Sequence, residues 1–130
     1  MKHVLSMAFA LAFAVPGHAL ACSCIPPQPV PEAVGVASRV FVGEVVSTRD
    51  TGDLYRRVVF RATEHFKGSP VDTIELTTAQ HGAMCGYPFR PGVRYVVYTH
   101  GDDDALRTGT CSRTTPATGG SDLDALRALD

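Results

Sequence analysis

The sequence predicts an all-β fold, a small barrel of five short strands followed by a short C-terminal helix. Three observations support this prediction. The 130 residues match the size of a single domain. Segments rich in Val, Phe and Ile alternate with clusters of turn residues along the body of the chain. A closed barrel is an arrangement in which such short strands leave no sheet edge exposed.

The strands are predicted between turn signals, and each has an apolar face. They span residues 39–48, 54–63, 72–78, 93–99 and 105–111. Gly43 in the first strand predicts a bulge or a bend. In the second and third strands, apolar residues alternate with polar ones and are expected to point inward: Val58, Phe60, Ala62, Ile74 and Leu76.

Two flanking segments complete the predicted fold. A proline-rich ridge precedes a helical turn at 32–38, and it has to be exposed because proline donates no ladder hydrogen bond. Residues 114–120 are predicted to be a polar linker and residues 121–130 a short helix. Ser121 and Asp124 have the spacing of a capping box, and an apolar stripe follows it: Leu123, Leu126 and Leu129. Five strands with a terminal helix fit a barrel of the OB type.

Residues 1–21 are predicted to be a signal peptide. An apolar stretch at 4–15 is too short to span a bilayer, and Pro16 interrupts it. Ala19 and Ala21 form the small-x-small pattern of a signal peptidase site, so the mature chain is expected to begin at Cys22. The predicted location is therefore extracellular (secreted) or periplasmic.

A cysteine at the first mature position also occurs in lipid-anchored proteins. The residue three before such a cysteine is usually Leu, whereas this chain has Ala19. We therefore expect ordinary cleavage and no membrane association, with lipidation of Cys22 as the alternative.

Composition excludes several classes of protein. The net charge is −1 and no run of Lys or Arg occurs, which argues against a nucleic-acid partner. After residue 21 no apolar run approaches the roughly 18 residues that a membrane span needs. We expect a monomer.

The chain has four cysteines, Cys22, Cys24, Cys85 and Cys111, and an oxidising compartment pairs such thiols. A Cys22–Cys24 bridge would close a very tight ring, so each of these two residues is expected to bond a distant partner. Two connectivities stay open at this stage. The single close pair lacks zinc-ligand spacing and the histidines of the mature chain are scattered, so we predict no intrinsic metal and no cofactor.

Several short motifs resemble one family in the same order along residues 22–111. They are Cys22-Ser23-Cys24-Ile25-Pro26-Pro27, Phe41-Val42-Gly43, Leu54-Tyr55, Phe66-Lys67-Gly68, Cys85-Gly86-Tyr87 and Thr110-Cys111. The chain resembles a single-domain form of the N-terminal, netrin-like OB-fold domain of the tissue inhibitors of metalloproteinases. The resemblance places this domain at residues 22–113.

The resemblance implies the disulfides Cys22–Cys85 and Cys24–Cys111 and the function of an inhibitor of zinc metalloproteases. It implies that the amine and carbonyl of Cys22 chelate the catalytic zinc of the target protease. Ser23 would then enter a specificity pocket. The other residues that it places at the contact are Cys24, Ile25, Pro26, Ala83 and Met84.

Two other classes of function remain as alternatives. Netrin-like modules share the barrel without inhibiting proteases, so the chain could instead be a non-inhibitory binding module, lipid-anchored if Cys22 is acylated. An enzyme with Cys22 as nucleophile needs a free thiol, which export disfavours. We therefore predict that the protein is not an enzyme.

Overall fold

The computed structural model describes residues 22–129. The predicted signal peptide and Asp130 lie outside the described residues. Within residues 22–129, two short helices, five strands and a 3-10 turn follow one another. Their bounds are α1 Val30–Val36, β1 Arg39–Asp50, β2 Tyr55–Lys67, β3 Thr73–Ala79, the 3-10 turn Gly82–Met84, β4 Arg94–Thr99, β5 Thr115–Pro116 and α2 Leu123–Arg127.

The strands form one antiparallel sheet in the order β3-β2-β1-β4-β5. β1 is central, since it pairs with β2 along most of its length and with β4 through Arg39–Glu44. The prediction of an all-β chain with five strands and a short C-terminal helix is confirmed at this level. The sheet of regular strands is not closed.

The predicted position of the fifth strand is wrong. The sequence predicts it at residues 105–111, whereas β5 lies at Thr115–Pro116, within the predicted linker 114–120. Within the expected segment, Arg107 forms isolated bridges to Thr77 and His100. Turns on both sides leave too few residues for a regular strand: Ala105 N–H donates to the Asp102 carbonyl and Ser112 N–H to the Gly109 carbonyl.

Gly43 lies at one of three register shifts between β1 and β2, as its position in the sequence predicts. A Cβ atom at this residue would lie 3.0 Å from a ring carbon of Phe41 and 3.2 Å from the carbonyl oxygen of Arg61. The irregularity therefore coincides with a position where a side chain has almost no room. Bulges of this kind bend a strand and increase its twist.

The sheet is buried on both faces, which is why residues 39–43 are all buried. The larger core contains the predicted inward residues of β2 and β3, with Ala62 half-buried at its margin. Its buried members are Phe41, Val45, Val58, Phe60, Ile74, Leu76, Phe89, Tyr95, Val97 and Leu106. The second core packs α1 and α2 on the opposite face: Val30, Ala33, Ala37, Val40, Val42, Val96, Tyr98 and Leu126.

The two helices begin differently from the sequence prediction. α1 begins at Val30, two residues early, because proline fits the first turn of a helix, where its missing N–H is not needed. The residue before α2 is Asp122, whose side chain makes no capping bond. Of the predicted capping box, Ser121 Oγ accepts a long hydrogen bond of 3.5 Å from Leu123 N–H. No return bond from the Asp124 carboxylate is present among the described residues, and the Asp122 carboxylate is engaged elsewhere. Within residues 22–129, no helix is long and apolar enough to cross a membrane.

Candidate functional site

The described residues start with a segment, residues 22–29, that we call the amino-terminal edge. It has no regular secondary structure, and from Ser23 to Pro29 every residue is exposed. The Ile25 side chain is 84% exposed. The edge therefore presents both a small polar side chain, Ser23, and an apolar one.

Two disulfides attach this edge to the body of the protein. Cys22 is bonded to Cys85 and Cys24 to Cys111, with Cα–Cα distances of 5.2 and 5.1 Å. This is the pairing that the resemblance implies, chosen from the two connectivities that the cysteine spacing left open. Ser23 lies between the two bridged residues, so its backbone is held on both sides while its side chain remains exposed.

The loop that carries Cys85 is folded into a tight 3-10 turn. The backbone carbonyl of His81 accepts hydrogen bonds from the N–H groups of Met84 and Gly86, and Cys85 N–H donates to the Gly82 carbonyl. Cys85 adopts the left-handed conformation with φ of 61°, which is uncommon outside glycine. Ala83 and Met84 are both exposed at the tip, immediately before the bridged cysteine.

Two glycines allow the backbone around Cys85 to pack closely. A Cβ atom at Gly86 would lie 2.0 Å from the carbonyl oxygen of Ala79, and one at Gly109 would lie 2.4 Å from the carbonyl oxygen of Cys85. Thr110 N–H also donates to that Cys85 carbonyl, at 2.9 Å. The segments that carry Cys85 and Cys111 are thus in direct backbone contact, independently of the disulfides.

An open pocket of about 350 Å³ lies beside the two bridges. Met84, Cys85 and Cys111 line one part of it, and Tyr55 and Arg107 line another. A second pocket, of about 310 Å³, lies along the amino-terminal edge and includes Ile25 and Pro26. The bridged edge is therefore flanked by two recesses rather than by a flat surface.

Arg113 connects the edge to the C-terminal segment. Its guanidinium donates from Nη1 to the Gln28 carbonyl at 3.0 Å and forms a two-bond pair with Asp122, which also accepts a hydrogen bond from the Tyr98 hydroxyl. Hydrogen bonds from Arg113 hold the pKa of Asp122 below its usual value, against the opposing effect of burial. Burial, followed by the bond to Asp122, raises the pKa of Tyr98.

The structure brings the sequence-predicted site residues together along two short stretches of chain. Cys22, Ser23, Cys24, Ile25 and Pro26 are consecutive, and the bridge from Cys22 places them beside Ala83-Met84-Cys85. Sequence reasoning missed Gly109, Arg113 and Asp122, and it included Gly86 only as part of the Cys85-Gly86-Tyr87 motif. The two glycines carry a sequence signal, since each stands next to, or two residues from, a cysteine. Arg113 and Asp122 carry none, because their pairing depends on the tertiary fold.

The four cysteines are also the only group of potential metal ligands that residues 22–129 bring together. Their sulfur atoms all lie within 4.8 Å of one another. His65, His81 and His100 lie outside this group. In the disulfide-bonded state the four sulfurs are not free to bind a metal ion.

No model of a known protein family matches the chain, and no curated protein matches it either. What the site does chemically therefore has to be inferred from its own residues.

Proposed function

We propose that the mature protein is a secreted inhibitor of zinc metalloproteases that acts through its first residue. The amine nitrogen and the carbonyl oxygen of Cys22 would bind the catalytic zinc of the target together. The observation that carries this proposal is the pair of disulfides on either side of Ser23, which hold the backbone of residues 22–24 in place with the Ser23 side chain exposed.

The coordination chemistry is simple. A catalytic zinc has three protein ligands and an open position for water. An α-amine and the carbonyl of the same residue form a five-membered chelate that displaces this water. The amine binds only when it is neutral, and because its ordinary pKa is about 7.7–8.0, inhibition should weaken as the pH falls below that range.

Rigidity of the edge supports the proposal on energetic grounds. Ordering a flexible segment on binding costs about 0.5–1.5 kcal/mol for each immobilised side chain. Here residues 22 and 24 are covalently attached to Cys85 and Cys111, and the Cys85 backbone is held by the contacts of Gly86 and Gly109. Much of the ordering cost would therefore be met during folding of the inhibitor.

Ser23, Ile25, Pro26, Ala83 and Met84 would form the contact around the zinc. All five are exposed, and Ile25 and Met84 supply apolar area at 84% and 43% exposure. Ser23 is small enough to enter a specificity pocket next to the catalytic zinc. The protein itself would contribute no catalytic residue and need no cofactor.

We also propose that the domain is an OB barrel and that the protein is exported. The bridges of Arg107 to Thr77 and His100 span the gap between β3 and β4, as a rudimentary fifth strand of an OB barrel would. The two disulfides are compatible with an oxidising compartment, and we propose export by cleavage before Cys22. The protein would act as a monomer without membrane attachment.

The first experiment is the intact mass and N-terminal sequence of the exported protein. We expect residues 22–130, two disulfides and an unmodified amine on Cys22. An acyl group on Cys22, or one further residue before it, would exclude chelation. Acylation would instead favour the alternative, a lipid-anchored and non-inhibitory binding module.

The second experiment measures inhibition of a panel of zinc endopeptidases by the mature protein and by a form with one Ala added before Cys22. The added residue moves the amine away from the Cys22 carbonyl, so inhibition should be lost while the fold is retained. Ser23→Arg should weaken inhibition strongly. Ser47→Arg, an exposed serine on β1, is the matched control and should have no effect. Equal inhibition by all forms, or by none, would refute the proposal.

A further inference from the structure

We propose that the four cysteines form a zinc site when both disulfides are reduced. This inference concerns a different state of the protein and does not depend on the proposed inhibitor function. Its basis is the position of the sulfur atoms: all four lie within 4.8 Å of one another, and Cys85 and Cys111, which belong to different bridges, have their sulfurs only 3.6 Å apart.

Tetrahedral thiolate coordination requires a cluster of this size, although the two bonded pairs are too close in the disulfide state. A zinc ion with four Zn–S bonds of about 2.3 Å holds its sulfurs about 3.8 Å apart. The contact between Cys85 and Cys111 is already close to this value. On reduction, the sulfurs within each former bridge have to separate, and rotation about the cysteine side chains supplies that movement.

Half of the site is positioned by the backbone rather than by the disulfides. Thr110 N–H donates to the Cys85 carbonyl at 2.9 Å, and Gly109 packs against the same carbonyl. The Cys85 and Cys111 segments would therefore remain neighbours after reduction. Cys22 and Cys24 are separated by one residue, and both of their sulfurs lie within 4.8 Å of those of Cys85 and Cys111. They would approach the other two cysteines as a pair.

The chemistry of the donor set selects the metal. Four thiolates in a tetrahedral arrangement suit zinc, which is closed-shell and takes no part in redox chemistry. Two equivalents of a dithiol or phosphine reductant convert the two disulfides into four thiols. Four thiols and one Zn²⁺ then give the tetrathiolate complex and release four protons. Cys24 and Cys111 are exposed and the other two cysteines are half-buried, so both reagents have access.

The sequence argues against this site because Cys-x-Cys is a short spacing for zinc ligands. Ligand spacing describes only neighbours along the chain, whereas the fold brings Cys85 and Cys111 close to Cys22 and Cys24 from distant positions in the sequence. In the reduced state the ion would replace both covalent links and would keep residues 22–24 attached to the body. Metal binding and folding would then be coupled.

The test uses the exported protein, reduced with a phosphine and titrated with Co²⁺ and then with Zn²⁺ under anaerobic conditions. We expect one equivalent of Co²⁺ to produce the visible bands of tetrahedral cobalt thiolate and one equivalent of Zn²⁺ to abolish them. Bound Zn²⁺ should protect all four thiols from alkylation, as measured by mass. Far-UV circular dichroism should show that Zn²⁺ restores any β-structure lost on reduction.

Variants separate this site from accidental metal binding. The double variant Cys24→Ser/Cys111→Ser removes one bridge and two ligands, so affinity for Zn²⁺ should fall more than about 100-fold, since loss of a mere supporting contact already costs about 10–100-fold. His81→Ala changes a residue next to the loop but outside the cluster, and it should bind normally. Absence of the cobalt bands, unprotected thiols, or equal affinity in the double variant would overturn the proposal.

Discussion

Arg113 and Asp122 form a two-bond ion pair that joins the amino-terminal edge to the C-terminal segment. Nε donates to Oδ2 and Nη2 to Oδ1, both at 2.7 Å, while Nη1 donates to the Gln28 carbonyl at 3.0 Å. The carboxylate is largely buried, with 14% of its side chain exposed. The pair thus holds residue 28, between the Cys24–Cys111 bridge and α1, against the segment that leads into α2.

Arg113→Ala should destabilise the protein and loosen the amino-terminal edge. Hydrogen bonds to charged groups contribute about 1.5–3 kcal/mol, and the substitution would also leave the Asp122 carboxylate without its cation. Denaturant unfolding measures the stability, and backbone relaxation of Ile25 and Gln28 by NMR measures the mobility. Arg127→Ala is the control, because the Arg127–Glu64 pair is exposed and should matter little. Equal effects of the two substitutions would contradict this role of Arg113.

Protonation of Asp122 should lower the free energy of unfolding in acid. Its pKa lies below the ordinary value of 3.8 mainly because Arg113 donates hydrogen bonds to the ionised form. A lowered pKa means that the contribution is complete above 3.8 and is lost as the pH falls through the value in the folded protein. Asp122→Asn should therefore be less stable than the natural chain at neutral pH. The difference between the two should shrink below pH 3.8 in urea unfolding curves, and a difference that is constant with pH would exclude this linkage.

Gly86→Ala and Gly109→Ala should each destabilise the fold by about 2–3 kcal/mol, in the range of overpacking in a filled site. In both cases the new methyl group would overlap a backbone carbonyl oxygen, at 2.0 and 2.4 Å, and neither oxygen belongs to a flexible side chain. Gly82→Ala is a matched control in the same loop, since nothing lies within 4 Å of a Cβ there. Thermal unfolding should leave the control unchanged, and a loss in the control similar to the other two would show that the loop itself is sensitive.

Leu126→Ala should cost about 2–5 kcal/mol, the usual range for a leucine removed from a core. Leu126 is 1% exposed and packs in the core between the helices and the sheet. Leu129 lies on the same predicted stripe but is 39% exposed, so Leu129→Ala should change stability little. Comparison of the two by denaturant unfolding tests whether α2 is a packed part of the domain. If both substitutions are neutral, α2 does not contribute to the core.

Local patterns predicted much of the sheet. β1 to β4 begin within one residue of the predicted positions, and the inward residues Val58, Phe60, Ile74 and Leu76 are all in the core. These features depend on the alternation of apolar and polar residues with a period of two and on turn residues. Both are visible in a single stretch of chain. The prediction failed for the fifth strand, because two turns around Arg107 leave it only isolated bridges.

The candidate site was predictable only in part. The Cys-x-Cys pair and the proline ridge are contiguous, so the sequence indicates both directly. Gly86 and Gly109 stand close to cysteines in the sequence, but their packing role follows only from the carbonyl groups of Ala79 and Cys85 that the fold places against them.

By itself, the sequence determined the all-β character of this protein, most of its strands and the residues of the amino-terminal edge. The tertiary structure decided what surrounds that edge: the close approach of the four sulfur atoms, the backbone contact at Cys85, and the Arg113–Asp122 pair. The physical reason is the distance along the chain over which each kind of interaction acts. Alternation and turn preference act between neighbours along the chain, whereas each of these contacts joins segments that only the folded sheet brings together.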